Sequence, residues 1–179
     1  MSRGHSTEDS GQLYAPILLQ QTKDGDCTIQ DLINLWHDQA PFHCVFTPDT
    51  TTVCLQVNRY PAMDVRSPQP IRWNRIPVHL PCFVNAHSWT VHWKRFEIVS
   101  VVVHRGAEPH TGHYQACLRA GGCRFLTEDW SRAMPCAHTT DLEHDLYVLW
   151  LVDSTHLTEA WSSLLACNPF VPFSSSHDH

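Results

Sequence analysis

One histidine of this chain stands in a setting suited to general-base chemistry. His113 lies between Gly112 and Tyr114, a run that starts nine residues after the apolar run Val101-Val102-Val103 and precedes the acidic pair Glu128-Asp129. A neutral imidazole can take the proton of a thiol or hydroxyl within hydrogen-bond reach, and a carboxylate can hold its ring in the required orientation. Such a base needs a nucleophile, and the sequence offers no obvious one. The eight cysteines are Cys27, Cys44, Cys54, Cys82, Cys117, Cys123, Cys136 and Cys167. Cys27, Cys44, Cys54 and Cys82 each sit in a context that reads as a small buried or half-buried residue. With no secretory signal ahead of them, all eight are expected to be reduced thiols rather than a disulfide framework.

Metal chemistry is not expected either. Fourteen histidines invite the question, but no Cys-x-x-Cys pair occurs, and His110 with His113 is only a weak His-x-x-His match. His177-Asp178-His179 belongs to a Ser-rich terminus and reads as polar tail. The expectation is no metal and no cofactor.

The elements that must position His113 are legible from periodicity. Thr28 is a helix cap answered by Asp31, and Ile29, Leu32, Ile33 and Trp36 fall on one helical face, which predicts a short helix over Thr28 to Asp38. Val53, Leu55 and Val57 alternate with Cys54, Gln56 and Asn58, the period-two pattern of a strand with one buried face. The prolines of Ile76-Pro77-Val78-His79-Leu80-Pro81 confine that stretch to an edge or irregular strand. Phe96 to Val103 reads as a central strand covered on both faces. His113 to Leu118, a Gly121-Gly122 turn and Arg124 to Leu126 then suggest an antiparallel meander. Leu146 to Val152 gives a last strongly apolar strand, and Leu157 to Leu165 a terminal helix.

Composition bounds the rest. A chain of 179 residues with 42% apolar and 17% charged residues supports one globular domain. The formal net charge of -6 disfavours nucleic acid or an anionic membrane as a partner. No apolar run approaches the roughly 20 residues that span a bilayer, and the N-terminus lacks the order of a signal peptide. The expected location is intracellular, cytoplasmic or nuclear. The expected organisation is a polar tail over 1–24, a domain over 25–154, and a C-terminal helix with disordered tail over 155–179.

Taken in order, these pieces resemble a known family. Leu55-Gln56-Val57-Asn58-Arg59-Tyr60, Ile76 to Pro81, Phe96 to Gly106, Gly112-His113-Tyr114 and Asp145-Leu146-Tyr147-Val148-Leu149-Trp150 are similar to the C-terminal half of a ubiquitin-specific protease catalytic domain. The resemblance covers roughly Cys27 to Val152. It implies an α+β fold, the mostly antiparallel sheet of the papain-like deubiquitinase palm with one or two short helices. It also implies that His113 is the general base of a thiol hydrolase acting on ubiquitin isopeptide or thioester bonds. The family orients that histidine with an Asp or Asn. Here Arg124-Phe125-Leu126-Thr127-Glu128-Asp129 matches imperfectly, with Glu128 in register and Asp129 beside it; Asp129 is preferred because the extra methylene of Glu128 changes its reach. Gly112 would let the glycine tail of a ubiquitin-like protein approach the backbone closely, with Tyr114 walling the groove or packing in the core. His104 is assigned to structure.

The departures from the family matter as much. Its nucleophile box of the Asn-x-Gly-Asn-Thr-Cys-aromatic kind is absent, as are the paired zinc-binding cysteines of its fingers subdomain. The chain is then a piece of a larger product, to be completed by a missing N-terminal half or a partner subunit, or a pseudoenzyme. Two alternatives follow: a module that binds ubiquitin or a ubiquitin-like protein without cleaving it, and an unrelated enzyme using a metal held by His104, His110 and His113.

Overall fold

A computed structural model describes residues 16–21, 26–39, 43–60, 66–67, 69–73, 77–85, 87, 89–120, 123–127, 133–136 and 140–157. In chain order these hold β1 (Ile17–Gln20), β2 (Cys27–Thr28), α1 (Ile29–His37), β3 (Thr52–Asn58), β4 (Ile71–Arg72), β5 (Val78–Phe83), β6 (Val91–Arg105), β7 (His113–Ala120), β8 (Cys123–Thr127), β9 (Met134–Pro135) and β10 (Leu146–Asp153). A single helical turn at Thr140–Leu142 precedes β10.

The main sheet runs β1-β3-β10-β6-β7-β8-β9, with β5 paired to the first half of β6. All of its pairings are antiparallel except β1 with β3. The fold is therefore α+β, a mixed and largely antiparallel sheet with few short helices. Beside it, β2 and β4 form a small parallel pair.

Alternation in the sequence becomes burial in the sheet. Val53, Leu55 and Val57 of β3, Phe96, Ile98, Val101 and Val103 of β6, and Leu149 and Leu151 of β10 turn to one face and form the core. Helix α1 joins that core with Ile29, Leu32 and Ile33, each worth about 2 kcal/mol relative to an exposed position. Its start is fixed by a reciprocal capping box, in which Thr28 Oγ1 accepts from the Asp31 N–H and Asp31 Oδ2 accepts from the Thr28 N–H at 2.8 Å.

The central position expected for Phe96 to Val103 is found, since β6 pairs with β10 on one side and with β5 and β7 on the other. Its second face is only half covered: Val99 and Val102 remain partly exposed. The continuous valine run arises where the pairing with β10 skips Val99, between Trp150 opposite Ser100 and Leu151 opposite Ile98. A bulge of that kind breaks the simple period of two. β5 is an edge strand, as its prolines require. Pro81, which has no N–H to donate, offers its carbonyl to the Phe46 N–H at 2.8 Å.

The sheet begins earlier than a polar tail over 1–24 would allow. Ile17–Gln20 pair with Leu55–Asn58, and Leu19 is fully buried. A four-residue parallel strand shows too little alternation to be distinguished from a loop by local pattern; its partner lies more than thirty residues on. At the other end, residues 154–157 form a helical turn, and most of the expected helix over Leu157 to Leu165 lies outside the described residues.

One buried cation ties these parts together. Arg59, 2% exposed, follows β3 and sends its guanidinium to four acceptors. Nε donates to the Leu146 carbonyl at 2.8 Å, Nη1 to the Gln69 carbonyl at 2.6 Å and to Gln21 Oε1 at 3.2 Å, and Nη2 to the Glu143 carbonyl at 2.6 Å. Burial, reinforced by the nearby Arg66, lowers its pKa to about 10, so it stays charged at neutral pH. A second tie is Asp153, whose carboxylate is 2% exposed and bonds Lys94 Nζ at 2.7 Å and the N–H and hydroxyl of Thr155 at 2.9 Å each.

Two predictions follow from these ties. Arg59→Lys keeps the charge but loses the planar fork and is expected to cost about 3 kcal/mol, read as a lower denaturant midpoint with unchanged slope. Asp153→Asn is expected to cost about 2 kcal/mol at pH 7. Burial works against the Asp153 charge, but the Lys94 and Thr155 hydrogen bonds outweigh it and hold the carboxyl below its ordinary value. Its contribution is present above the unfolded value of about 3.9 and is lost as pH falls through the lower folded value. Wild type and variant should therefore converge in stability in strong acid; an equal gap at every pH would refute the assignment.

Candidate functional site

The end of β6 and the start of β7 bring His104 opposite Tyr114 and Arg105 opposite His113. The loop between them turns on two glycines packed against each other. Gly112 has φ +137°, and a Cβ there would lie 2.6 Å from both the Arg105 carbonyl and His104 Nε2. A Cβ on Gly106 would lie 2.2 Å from the Thr111 carbonyl. Glycine is required at both positions by close approach, and at 112 by backbone conformation as well.

Beneath the glycines sits His104, 3% exposed. Its Nδ1 lies 2.9 Å from the Tyr60 hydroxyl, which also reaches the Gly106 carbonyl at 3.4 Å. A carbonyl only accepts, so a Tyr60 proton given to Gly106 makes His104 Nδ1–H the donor to Tyr60. His104 Nε2 then faces Gly112 and has no hydrogen-bond partner. Burial, ahead of the opposing effect of Arg66, raises the Tyr60 pKa, which keeps the phenol neutral and able to donate. Tyr114 stacks on the His104 ring with centroids 4.4 Å apart, and Tyr147 lies 5.9 Å from both.

The backbone around this aromatic cluster is fixed by charge. Asp145 pairs with Arg66 and, at 3.5 Å, with Arg105, while its carbonyl accepts from the His104 N–H at 2.8 Å. Arg66 also donates to the Gly106 carbonyl at 3.0 Å and the His144 carbonyl at 2.8 Å. The loop bearing Gly106 is thereby stapled to the start of β10.

On this support His113 is the first residue of β7 and is exposed, and Tyr114 beside it is 45% exposed. Gly112, His113 and Tyr114 thus share one edge of the sheet, as their adjacency demands. β8 runs back toward that edge and ends at Thr127, opposite Ala116, with the Thr127 hydroxyl donating to the Ala116 carbonyl at 3.1 Å. Glu128 and Asp129 follow and lie outside the described residues. The alternative cluster of His104, His110 and His113 does not assemble: among the described residues these side chains form no group able to hold an ion, because His104 is committed to Tyr60 beneath the loop.

Among the described cysteines, Cys27, Cys82 and Cys117 are buried and Cys44, Cys54 and Cys136 half-buried, whereas Cys123 is exposed. Cys27, Cys44, Cys54, Cys82, Cys117 and Cys123 are free thiols. Burial is the leading cause that raises the pKa of Cys27, Cys54, Cys82 and Cys117, the opposite of what a nucleophile needs. Tyr60, Arg66, Asp145 and Tyr147 have no role legible in the local sequence pattern. The signal for Tyr60 was its position directly after Asn58-Arg59; the others are assembled only by tertiary contact.

No protein-family model matches the chain. Over 64 residues, 36% of this chain, it is 33% identical to the mouse ubiquitin carboxyl-terminal hydrolase 17-like protein A. Over 62 residues, 35% of the chain, it is 34% identical to the mouse 17-like protein B. Among solved structures, a yeast SAGA DUB module with mutant Sgf73 matches with a TM-score of 0.57 at 19% identity, over 77% of this chain and 33% of that one. The SAGA Ubp8/Sgf11/Sus1/Sgf73 DUB module bound to ubiquitin aldehyde matches with a TM-score of 0.57 at 14% identity, over 77% of this chain and 35% of that one.

The chain thus has a fold consistent with a partial ubiquitin-specific protease catalytic domain, its C-terminal half. Its matches span 12% and 13% of those two curated relatives and about a third of the solved chains.

The packing at Gly112 yields a direct test. Gly112→Ala is expected to destabilise the chain by about 3 kcal/mol, measured by chemical denaturation. A variant as stable as wild type would mean that the loop does not hold the positive φ or the contact with His104.

Proposed function

We propose that this chain is the base-bearing half of a deubiquitinase-type thiol hydrolase, and that it holds the C-terminal tail of ubiquitin or a ubiquitin-like protein along Gly112, His113 and Tyr114. The observation that carries this reading is the exposed His113 beside a glycine at φ +137°, mounted over a buried His104 that bonds Tyr60 and stacks on Tyr114. A glycine next to the base presents bare backbone, which is what an extended tail ending in small residues can approach. The curated relatives are named ubiquitin carboxyl-terminal hydrolases, and one structural neighbour is a complex with ubiquitin aldehyde; both support this choice of substrate class.

In this reading His113 draws the proton from a thiol, the thiolate attacks the carbonyl of the isopeptide or thioester bond, and the imidazolium returns the proton to the leaving group. Asp129, with Glu128 as the second candidate, orients the ring. The thiol has to come from a cysteine-bearing segment or partner subunit other than the packed cysteines described above. By itself the chain then behaves as a ubiquitin-binding pseudoenzyme, working in the cytoplasm or nucleus. The raised pKa of the buried Cys27, Cys82 and Cys117 and the half-buried Cys54 favours binding without turnover over self-sufficient catalysis at these thiols.

A fluorogenic ubiquitin substrate and immobilised ubiquitin test both halves of the proposal. The purified chain should be retained by ubiquitin and release no fluorophore. Turnover that His113→Ala abolishes would overturn the inactivity, and failure to bind ubiquitin in any assay would sink the substrate assignment.

A further inference from the structure

Away from His113, the C-terminal end of α1 gathers three side chains with metal-binding donors. His37 is the last residue of α1, Asp38 is its C-cap, and His43 returns to them from the following segment. One donor atom from each lies within 4.8 Å of the others, and this is the group of that kind found among the described residues. We propose that His37, Asp38 and His43 bind a single divalent transition-metal ion, best matched by zinc.

Each imidazole has a backbone carbonyl against its Nδ1. His37 Nδ1 lies 2.7 Å from the Cys44 carbonyl, and His43 Nδ1 lies 3.3 Å from the His37 carbonyl. Carbonyls only accept, so each Nδ1 carries the proton and each Nε2 presents its lone pair. A backbone carbonyl behind a histidine ligand fixes the tautomer and ring plane, the usual support of a zinc-bound imidazole. The His37 ring packs edge-on to Trp93 at 5.2 Å and stacks on His43 at 5.0 Å, so the exposed His43 ring has to swing for both Nε2 lone pairs, which lie in the ring planes, to meet at one ion.

The chain path is fixed as well. The Cys44 N–H donates to the His37 carbonyl at 3.1 Å, and the Phe46 N–H to Pro81 at 2.8 Å, so the segment carrying His43 is anchored at both the helix and β5.

Charge points the same way. Asp38 sits at the helix C-terminus, the negative end of the helix dipole, where a carboxylate is disfavoured and a cation favoured. His43 Nδ1 lies 3.6 Å from Asp38 Oδ1, so the carboxylate already has a donor facing it, but a divalent ion would neutralise both the carboxylate and the exposed helix carbonyls. Two imidazoles and a carboxylate suit zinc at donor distances of about 2.0–2.2 Å, which places ligand atoms about 3.4 Å apart in a tetrahedron. From separations within 4.8 Å, the donors must contract by up to about 1.4 Å. The exposed Asp38 and His43 side chains, 67% and 71% accessible, are free to make that adjustment. Three protein donors leave the fourth position to water or a ligand from outside. Occupied, the ion would clip the end of α1 to the 43–46 segment and through it to β5.

Zinc titration of the metal-free full chain against a competing chromophoric chelator tests this. One zinc per chain should bind in the micromolar range or tighter, and Asp38→Asn and His43→Gln should each weaken it about tenfold or more, whereas the double tail variant His177→Gln, His179→Gln should not. Cobalt in place of zinc should give the visible bands of nitrogen and oxygen coordination without a thiolate charge-transfer band. The proposal is overturned by no micromolar binding, by equal affinity in the Asp38 and His43 variants, by loss of the ion in the tail variant, or by a thiolate signature.

Discussion

The start of β10, and through it the support of the loop bearing His113, depends on one buried guanidinium. Arg59 leaves β3 and bonds the carbonyls of Gln69, Glu143 and Leu146 and the amide oxygen of Gln21. Those four acceptors lie in three different stretches of chain, and a planar donor fork satisfies them together where a compact ammonium could not. Bringing Leu146 to Arg59 sets where β10 begins. The preceding residue, Asp145, then holds His104 through its carbonyl and Arg66 and Arg105 through its carboxylate. The loop that presents His113 is thus hung from β3 through a chain of hydrogen bonds rather than from apolar packing alone.

That arrangement separates two histidines by role. His104 is buried, stacked on Tyr114 and bonded to Tyr60; it shapes the underside of the loop. His113 stands on the exposed side of the same loop. A base that must meet a macromolecular substrate needs access, and the residues that fix its position need burial, so the division follows from solvation. Gly106 and Gly112 allow the loop to lie directly on the His104 ring, since a side chain at either would displace it.

Much of this was legible in the sequence where local pattern and tertiary structure agree. The Thr28 and Asp31 capping box predicted α1, and the alternation of Val53, Leu55 and Val57 predicted β3 with its buried face. Gly112-His113-Tyr114 carried its own signal because glycine and an aromatic flank the base. The rest was hidden for identifiable reasons. Ile17–Gln20 is too short to show a period and is defined by its parallel partner. Arg59 reads as a surface charge until its four acceptors converge. The bulge at Val99 made a one-faced strand look apolar on both faces. His37, Asp38 and His43 escaped attention because their spacing fits no common ligand motif and only the turn after α1 brings them together.

The account makes the edge formed by Gly112, His113 and Tyr114 the place where a ubiquitin tail lies. Backbone amide NMR of the labelled chain titrated with unlabelled ubiquitin tests this most directly. Resonances of Gly106, Gly112, His113 and Tyr114 should move in a saturable way while those of α1 stay in place. Saturable shifts confined to other surfaces, with the Gly112 to Tyr114 amides unmoved, would contradict it.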